Sequence, residues 1–345
     1  MKERIRTITA ALLILIMVFS FSACGKSDFT KIDTGILSDD KSNTELMSAS
    51  GTDALIAFGK AGKSGVIKTT RGFMLYDSDK EAVSLVAPIS ASVRIRRALA
   101  LEDSIIYVNY KKNDDGTVNW NVIELSEGSC TYILSGTCKG ISELPGLFTL
   151  EDEPYVVWKD RTSDVAGMSR INGGSIERLV TVDSGELINT SAASNGKYAL
   201  LYMKSEGQRV AALADKSGVI KNIPMDGKLK GFALTKNNAL IATTKGDSKE
   251  SFLLIDHNIK KEESETLELS IDIKAMSSGD DDTALCSDSE NRMYKISGSD
   301  GKIKEIEAPE GTEGASVKFG DITEGKAIVA LSKDGNTVYY VLEAK

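Results

Sequence analysis

Residues 195–220 read NGKYALLYMKSEGQRVAALADKSGVI. The polar turn Asn195-Gly196-Lys197 precedes the apolar run Ala199-Leu200-Leu201-Tyr202. A second polar stretch leads to Val210-Ala211-Ala212-Leu213, and Asp215-Lys216-Ser217-Gly218 then leads to Val219-Ile220. Apolar runs this short, bounded by Gly, Asn, Asp and Ser, fit strands joined by hairpins better than helices.

The same unit recurs. Strands matching Ala199–Tyr202 begin at Leu55, Ile105, Tyr155, Ala199, Ala239, Thr283 and Ala327, with steps of 50, 50, 44, 40, 44 and 44 residues. A polar turn precedes each and a second strand follows. Most units turn again into a third strand, as at Asn172-Gly173-Gly174 and Ser299-Asp300-Gly301, where the hairpins call for a positive φ. Four-stranded units of about 45 residues resemble the blades of a β-propeller, in which radial repetition leaves only short protected edges. The resemblance predicts an all-β fold of seven four-stranded blades, with six or eight as alternatives, over residues 45–345. No Trp-Asp signature is present. The last unit ends one strand short at Lys345, so the isolated apolar segment Ile32–Leu37 is expected to complete it and close the ring.

The N-terminus carries the clearest motif. Lys2, Arg4 and Arg6 precede a run of apolar residues from Ala10 to Phe21. The run is shorter than the ~20 residues that span a bilayer core and fits a secretory leader. Phe21-Ser22-Ala23-Cys24 then resembles the lipobox of bacterial lipoproteins, with Phe21 where Leu is usual. That resemblance implies cleavage between Ala23 and Cys24 and lipidation of Cys24. Residues 1–23 are then a leader, 24–44 a lipidated tether that contributes to closure, and the protein lies on the extracytoplasmic face of the cell membrane. Several acyl chains hold firmly where one holds weakly, since each buried methylene adds about 0.8 kcal/mol.

Charge narrows the partners. The 42 basic and 50 acidic residues become 39 and 49 once Lys2, Arg4, Arg6 and Glu3 leave with the leader, a net charge of −10. This opposes nucleic-acid binding, which uses a basic footprint, and opposes adhesion to an anionic bilayer by charge alone. A monomer is expected. The turns before the first recurring strand are often acidic, while the loops after it and the connections between units carry Lys60, Arg71, Arg94, Arg96, Arg97, Lys111, Lys112 and Arg161. In a propeller these lie on opposite rims, which predicts one acidic rim and one basic rim suited to an anionic partner.

Catalytic signals are thin. His257 is the only histidine, in Asp256-His257-Asn258, and reads as a turn residue. No nucleophile elbow, phosphate loop or dinucleotide fingerprint is present, and no cofactor is expected. Asp280, Asp281, Asp282 and Asp288 are weak Ca²⁺ candidates, since the alternating carboxylates and central glycine of an EF-hand are missing. Trp120 and Trp158 read as packing residues. Cys130 and Cys138 flank a strand and turn where a bridge is conceivable, and Cys286 reads as a small packed hydrophobe. The reading is a membrane-anchored, non-catalytic binding platform for a protein or cell-envelope polymer. The alternatives are a polysaccharide-directed hydrolase or lyase, or a small-ligand receptor, using the propeller channel.

Overall fold

The structure is a computed structural model, and it describes residues 28–32, 42–50, 53–60, 70–77, 82–89, 94–127 and 129–344. Its strands form four-stranded antiparallel sheets in chain order. Blade 1 contains β2 (Ser42–Ser50), β3 (Asp53–Lys60), β4 (Thr70–Asp77) and β5 (Ala82–Ile89), with β1 (Phe29–Lys31) preceding it in the chain. Blade 2 contains β6 (Arg94–Ala100), β7 (Ser104–Lys112), β8 (Val118–Ser126) and β9 (Ser129–Cys138). Blade 3 contains β10 (Gly146–Leu150), β11 (Glu153–Asp160), β12 (Val165–Asn172) and β13 (Ser175–Asp183). Blade 4 contains β14 (Leu187–Ser194), β15 (Ala199–Ser205), β16 (Gln208–Asp215) and β17 (Gly218–Pro224). Blade 5 contains β18 (Leu229–Leu234), β19 (Asn238–Thr244), β20 (Phe252–Asn258) and β21 (Glu263–Leu269). Blade 6 contains β22 (Ile273–Ser277), β23 (Thr283–Asp288), β24 (Met293–Ser297) and β25 (Ile303–Ile306). The last sheet is β26 (Ser316–Phe319), β27 (Lys326–Lys333) and β28 (Asn336–Glu343), with β1 on its outer edge.

The expectation of seven like blades needs correction. Six sheets are described as blades with packed side-chain faces. The sheet β2–β5 is described as paired backbone, with Leu46 and Phe73 its described core residues. Six of the sheets are blades with described packed faces, and of the sheet β2–β5 Phe73 is described packing against Ala98, Ile105 and Tyr107 of blade 2.

The recurring strands of the sequence are the second strands of the sheets. They are buried on both faces, as in β19, where all seven residues are buried. This is why their residues are small or branched and apolar. Each large aliphatic side chain so buried contributes roughly 1.5–3 kcal/mol. The core lies between consecutive blades. One cluster joins Leu200, Leu213 and Ile223 of blade 4 to Ile241 and Ile255 of blade 5. Another joins Leu240 and Leu254 of blade 5 to Cys286 and Tyr294 of blade 6.

Neighbouring blades are also tied by hydrogen bonds around the axis. Ser194 Oγ donates to the Thr149 carbonyl at 2.7 Å, Asn195 Nδ2 to Thr235 O at 2.7 Å, and Ser277 Oγ to Gly320 O at 2.6 Å. Short parallel bridges, Leu150 to Gly196 and Gly279 to Ile322, repeat the link.

Closure occurs between the chain's two ends, and the described pairing begins ahead of the expected segment, at Phe29, and includes its first residue, Ile32. Phe29 pairs with Leu342 and Lys31 with Tyr340, and Ile32 N donates to Tyr339 O at 2.9 Å. Residues 33–37 lie outside the described residues. The Phe29 ring packs edge-on against Tyr340, with centroids 5.9 Å apart.

Candidate binding face

In every blade the first strand runs from an upper rim to a lower one, and the next three alternate. The upper rim holds the connections between blades and the loops between second and third strands. The lower rim holds the turns between first and second strands.

The first strands carry a device absent from the sequence reading. Pairing slips by one residue between Ile95 and Arg97 in β6, between Leu229 and Gly231 in β18, and between Ile273 and Ala275 in β22. The extra residues are Arg96, Lys230 and Lys274. Such bulges bend a strand and re-aim side chains. Three cations therefore occupy equivalent bulge positions on their first strands, where the slip in β2 leaves Met47. Lys318 on β26 joins them by register.

These cations differ in how they are held. Lys230 pairs with Asp272 of the next blade at 2.7 Å and lies 5.5 Å from the Phe252 ring centroid. Lys274 donates to Asn291 Oδ1 at 2.9 Å, and Lys318 donates to the Leu46 carbonyl across the closure. Arg97 reaches furthest. Its Nη1 donates to the Thr190 carbonyl of blade 4 at 3.2 Å, crossing Gly146 of blade 3. A Cβ on Gly146 would stand 2.2 Å from Thr190 O and 2.8 Å from that nitrogen, so only glycine lets the arginine pass. Burial and the neighbouring Arg96 guanidinium pull the Arg97 pKa down to about 10, which leaves it cationic at neutral pH. No described carboxylate pairs with it.

Other expected rim residues scatter. Arg94 and Arg96 are exposed on β6. Lys111 and Lys112 are exposed at the upper end of β7. Arg161 is occupied by Glu143 at 2.9 Å, a carboxylate it shares with the buried Lys159 at 3.6 Å. That Glu143 carboxyl sits below the usual range despite partial burial, because Arg161, the Lys139 amide and Lys159 favour its charge. Lys60 and Arg71 lie at the upper ends of β3 and β4, and their side chains are outside the described residues. The upper loops also carry acids such as Asp164, Glu206 and Asp247, so that rim is mixed in charge. The lower turns hold exposed Glu102, Asp103, Glu151 and Asp152.

The acidic candidates are not brought together. Asp280 Oδ2 accepts from Glu324 N at 3.1 Å and Asp281 Oδ1 from Thr283 N at 2.8 Å, both on the lower rim. Asp288 ends β23 on the upper rim. It is buried and accepts from Arg292 Nε at 2.8 Å and Tyr294 OH at 2.9 Å. Five residues of strand, about 17 Å, separate the two ends. Among the described residues no group of three His, Cys, Asp or Glu is arranged to hold a metal ion.

His257 is corrected from turn to strand. It lies inside β20, buried, with Nδ1 2.8 Å from Ser264 Oγ. The pairing of β20 with both neighbours extends the strand through residues that read as polar. Cys130 and Cys138 occupy opposite ends of β9 and are free thiols, as is buried Cys286. Trp120 and Trp158 both pack between blades 2 and 3.

Asp321 was not singled out by the sequence. It occupies the lower turn after β26, where Ser277 Oγ and Ser278 N donate to its Oδ1 at 3.0 and 3.2 Å. Surrounding protein pushes its pKa up to about 6 against these donors, although solvent reaches it.

No protein-family model matches the chain, and no curated protein matches it. Solved structures do. The β-propeller domain of the trilobed protease from Pyrococcus furiosus, described as having an open velcro topology, is 10% identical. The alignment covers 88% of this chain and 96% of that chain, with a TM-score of 0.58. An oligogalacturonate lyase in complex with manganese is 9% identical over 92% of this chain and 93% of its own, with a TM-score of 0.55. The oligogalacturonate lyase from Vibrio parahaemolyticus is 10% identical over 92% and 93%, with a TM-score of 0.56. At such identities the likeness shows the fold: this chain is a β-propeller built of four-stranded blades.

Proposed function

We propose that this protein is an extracytoplasmic lipoprotein anchored at Cys24, and that its propeller is a non-catalytic platform for an anionic partner. The observation that carries the reading is the recurrence of a cation, Arg96, Lys230 and Lys274, at the bulge of three first strands, beside an Arg97 with no described carboxylate. Arg94 extends the cluster outward. Rigid strands hold these charges, and fixed charge at a mouth attracts and orients an anion.

The anchor suits this face. Cys24 is outside the described residues, but Asp28 O accepts from Glu343 N at 2.8 Å, which puts the start of β1 on the lower rim. Four residues reach at most about 14 Å. A lipid on Cys24 therefore turns the lower rim toward the membrane and the upper rim, with Arg94 and Arg96, away from it. Among the described residues no helix is long and apolar enough to cross a membrane.

The test is binding of polyglutamate and of polygalacturonate to the full chain and to the Arg94→Glu, Arg96→Glu double variant, at low and high salt. Salt-sensitive binding of either polymer, lost in the variant, is expected. Binding of equal strength to both proteins overturns the reading.

A second reading is an enzyme acting on an acidic polysaccharide in the channel. It is favoured by Asp321, a solvent-reached carboxyl whose pKa of about 6 suits proton transfer near neutrality. Ultraviolet absorbance from unsaturated ends in polygalacturonate incubated with the protein, absent with Asp321→Asn, would establish it.

A further inference from the structure

A groove of about 790 Å³ opens on the upper rim between blades 4 and 5. Met225, Leu253 and Ile255 form its apolar floor, and Lys204 and Arg209 stand on its blade 4 side. Leu253 and Ile255 alternate on one face of β20. Ile255 and Met225 are closed into the core between the blades, while Leu253 stays half-buried where that core ends. The floor is thus the exposed top of a packed interface, backed by residues that cannot move.

Charge on the lip is unbalanced. Lys204 and Arg209 are direct cross-strand partners in β15 and β16. Like charges placed opposite each other in a sheet repel by a few tenths to about 1 kcal/mol. Neither makes an ion pair among the described residues, although Lys221 and Lys245 nearby do, with Glu262 and Glu268. Asp226 is the single carboxylate in the lining, so the groove carries a net positive charge. The lining holds no aromatic ring on which a sugar would stack. An apolar floor beneath a cationic lip instead suits an aliphatic side chain flanked by carboxylates.

We propose that this groove binds an extended acidic peptide segment of a protein partner, with an aliphatic side chain on Leu253, Ile255 and Met225 and carboxylates on Lys204 and Arg209. The inference deepens the platform reading and rests on it, by making the anionic partner a protein.

The test uses the full chain in detergent micelles and a fluorescent short peptide of acidic residues around one leucine, followed by anisotropy. Arg209→Glu is expected to weaken binding about tenfold or more, as is leucine-to-serine in the peptide. A charge reversal on the opposite rim, Lys261→Glu, exposed in the turn between β20 and β21 and outside the groove lining, is expected to stay within about twofold of the parent. If Arg209→Glu lowers the melting temperature, Lys204→Glu, exposed on the lip, carries the same comparison. Equal binding by the parent and the groove variants, equal binding of a lysine-based peptide, or no binding overturns the groove assignment. Tighter binding of a galacturonate oligomer that displaces the peptide overturns the peptide class. Loss of binding only in the Arg94, Arg96 variant overturns the groove while leaving the platform standing.

Discussion

Asp321 and Arg97 show what side chains do inside the ring. Both are crowded by protein, both reach solvent, and neither is matched by a described opposite charge. For Asp321 the consequence can be measured. Its folded pKa of about 6 lies above the ordinary aspartate value of 3.8. The folded state therefore holds the proton more tightly than the unfolded chain. The stability linked to that proton is full below about pH 4 and is lost as pH rises to about 6. Asp321→Asn keeps an oxygen for Ser277 and Ser278 but cannot ionise. Its melting temperature relative to the parent should rise across that window and then level off. A flat difference from pH 4 to 7 would show that the carboxyl titrates normally. In the sequence, Asp321 is one acid among many. Arg97 drew notice only as one of three neighbouring arginines, and nothing local distinguishes its reach across Gly146.

Three residues of β1 stand in for a full outer strand. The hydrogen bonds of Ile32 and Asp28 to β28 fix its register, and the Phe29 ring is its main apolar contribution, packed with Leu342 and Ala344. Phe29→Ala removes that ring from a core and is expected to cost about 3 kcal/mol. Part of the cost should appear locally, as faster hydrogen exchange at the Tyr339 and Val341 amides. Unchanged exchange and an unchanged unfolding midpoint would mean that β1 contributes nothing to closure. The need for a closing strand was legible, because the last unit plainly lacked one. Its starting residue was not, since the apolar residues from Phe29 to Leu37 are short and alike in sequence and the pairing with β28 begins at Phe29. The bulges were likewise hidden. A one-residue slip appears only when a strand meets its partner.

At the scale of the whole molecule, the proposed anchor decides which rim is presented. Cys24→Ser should move the protein from the membrane fraction to the soluble fraction without changing its melting temperature, because the residue precedes the described propeller. Retention in the membrane fraction would end the lipoprotein reading. The repeat of short apolar runs and polar turns was enough to read an all-β propeller of four-stranded sheets, because strand period, turn chemistry and burial are properties of neighbouring residues. The place of His257 inside a strand and the recurrence of Arg96, Lys230 and Lys274 at first-strand bulges were not readable in that way. Those residues are up to 178 positions apart in the chain. They take equivalent bulge positions only because each first strand slips by one residue against its second strand, which is a property of strand pairing and not of neighbouring residues.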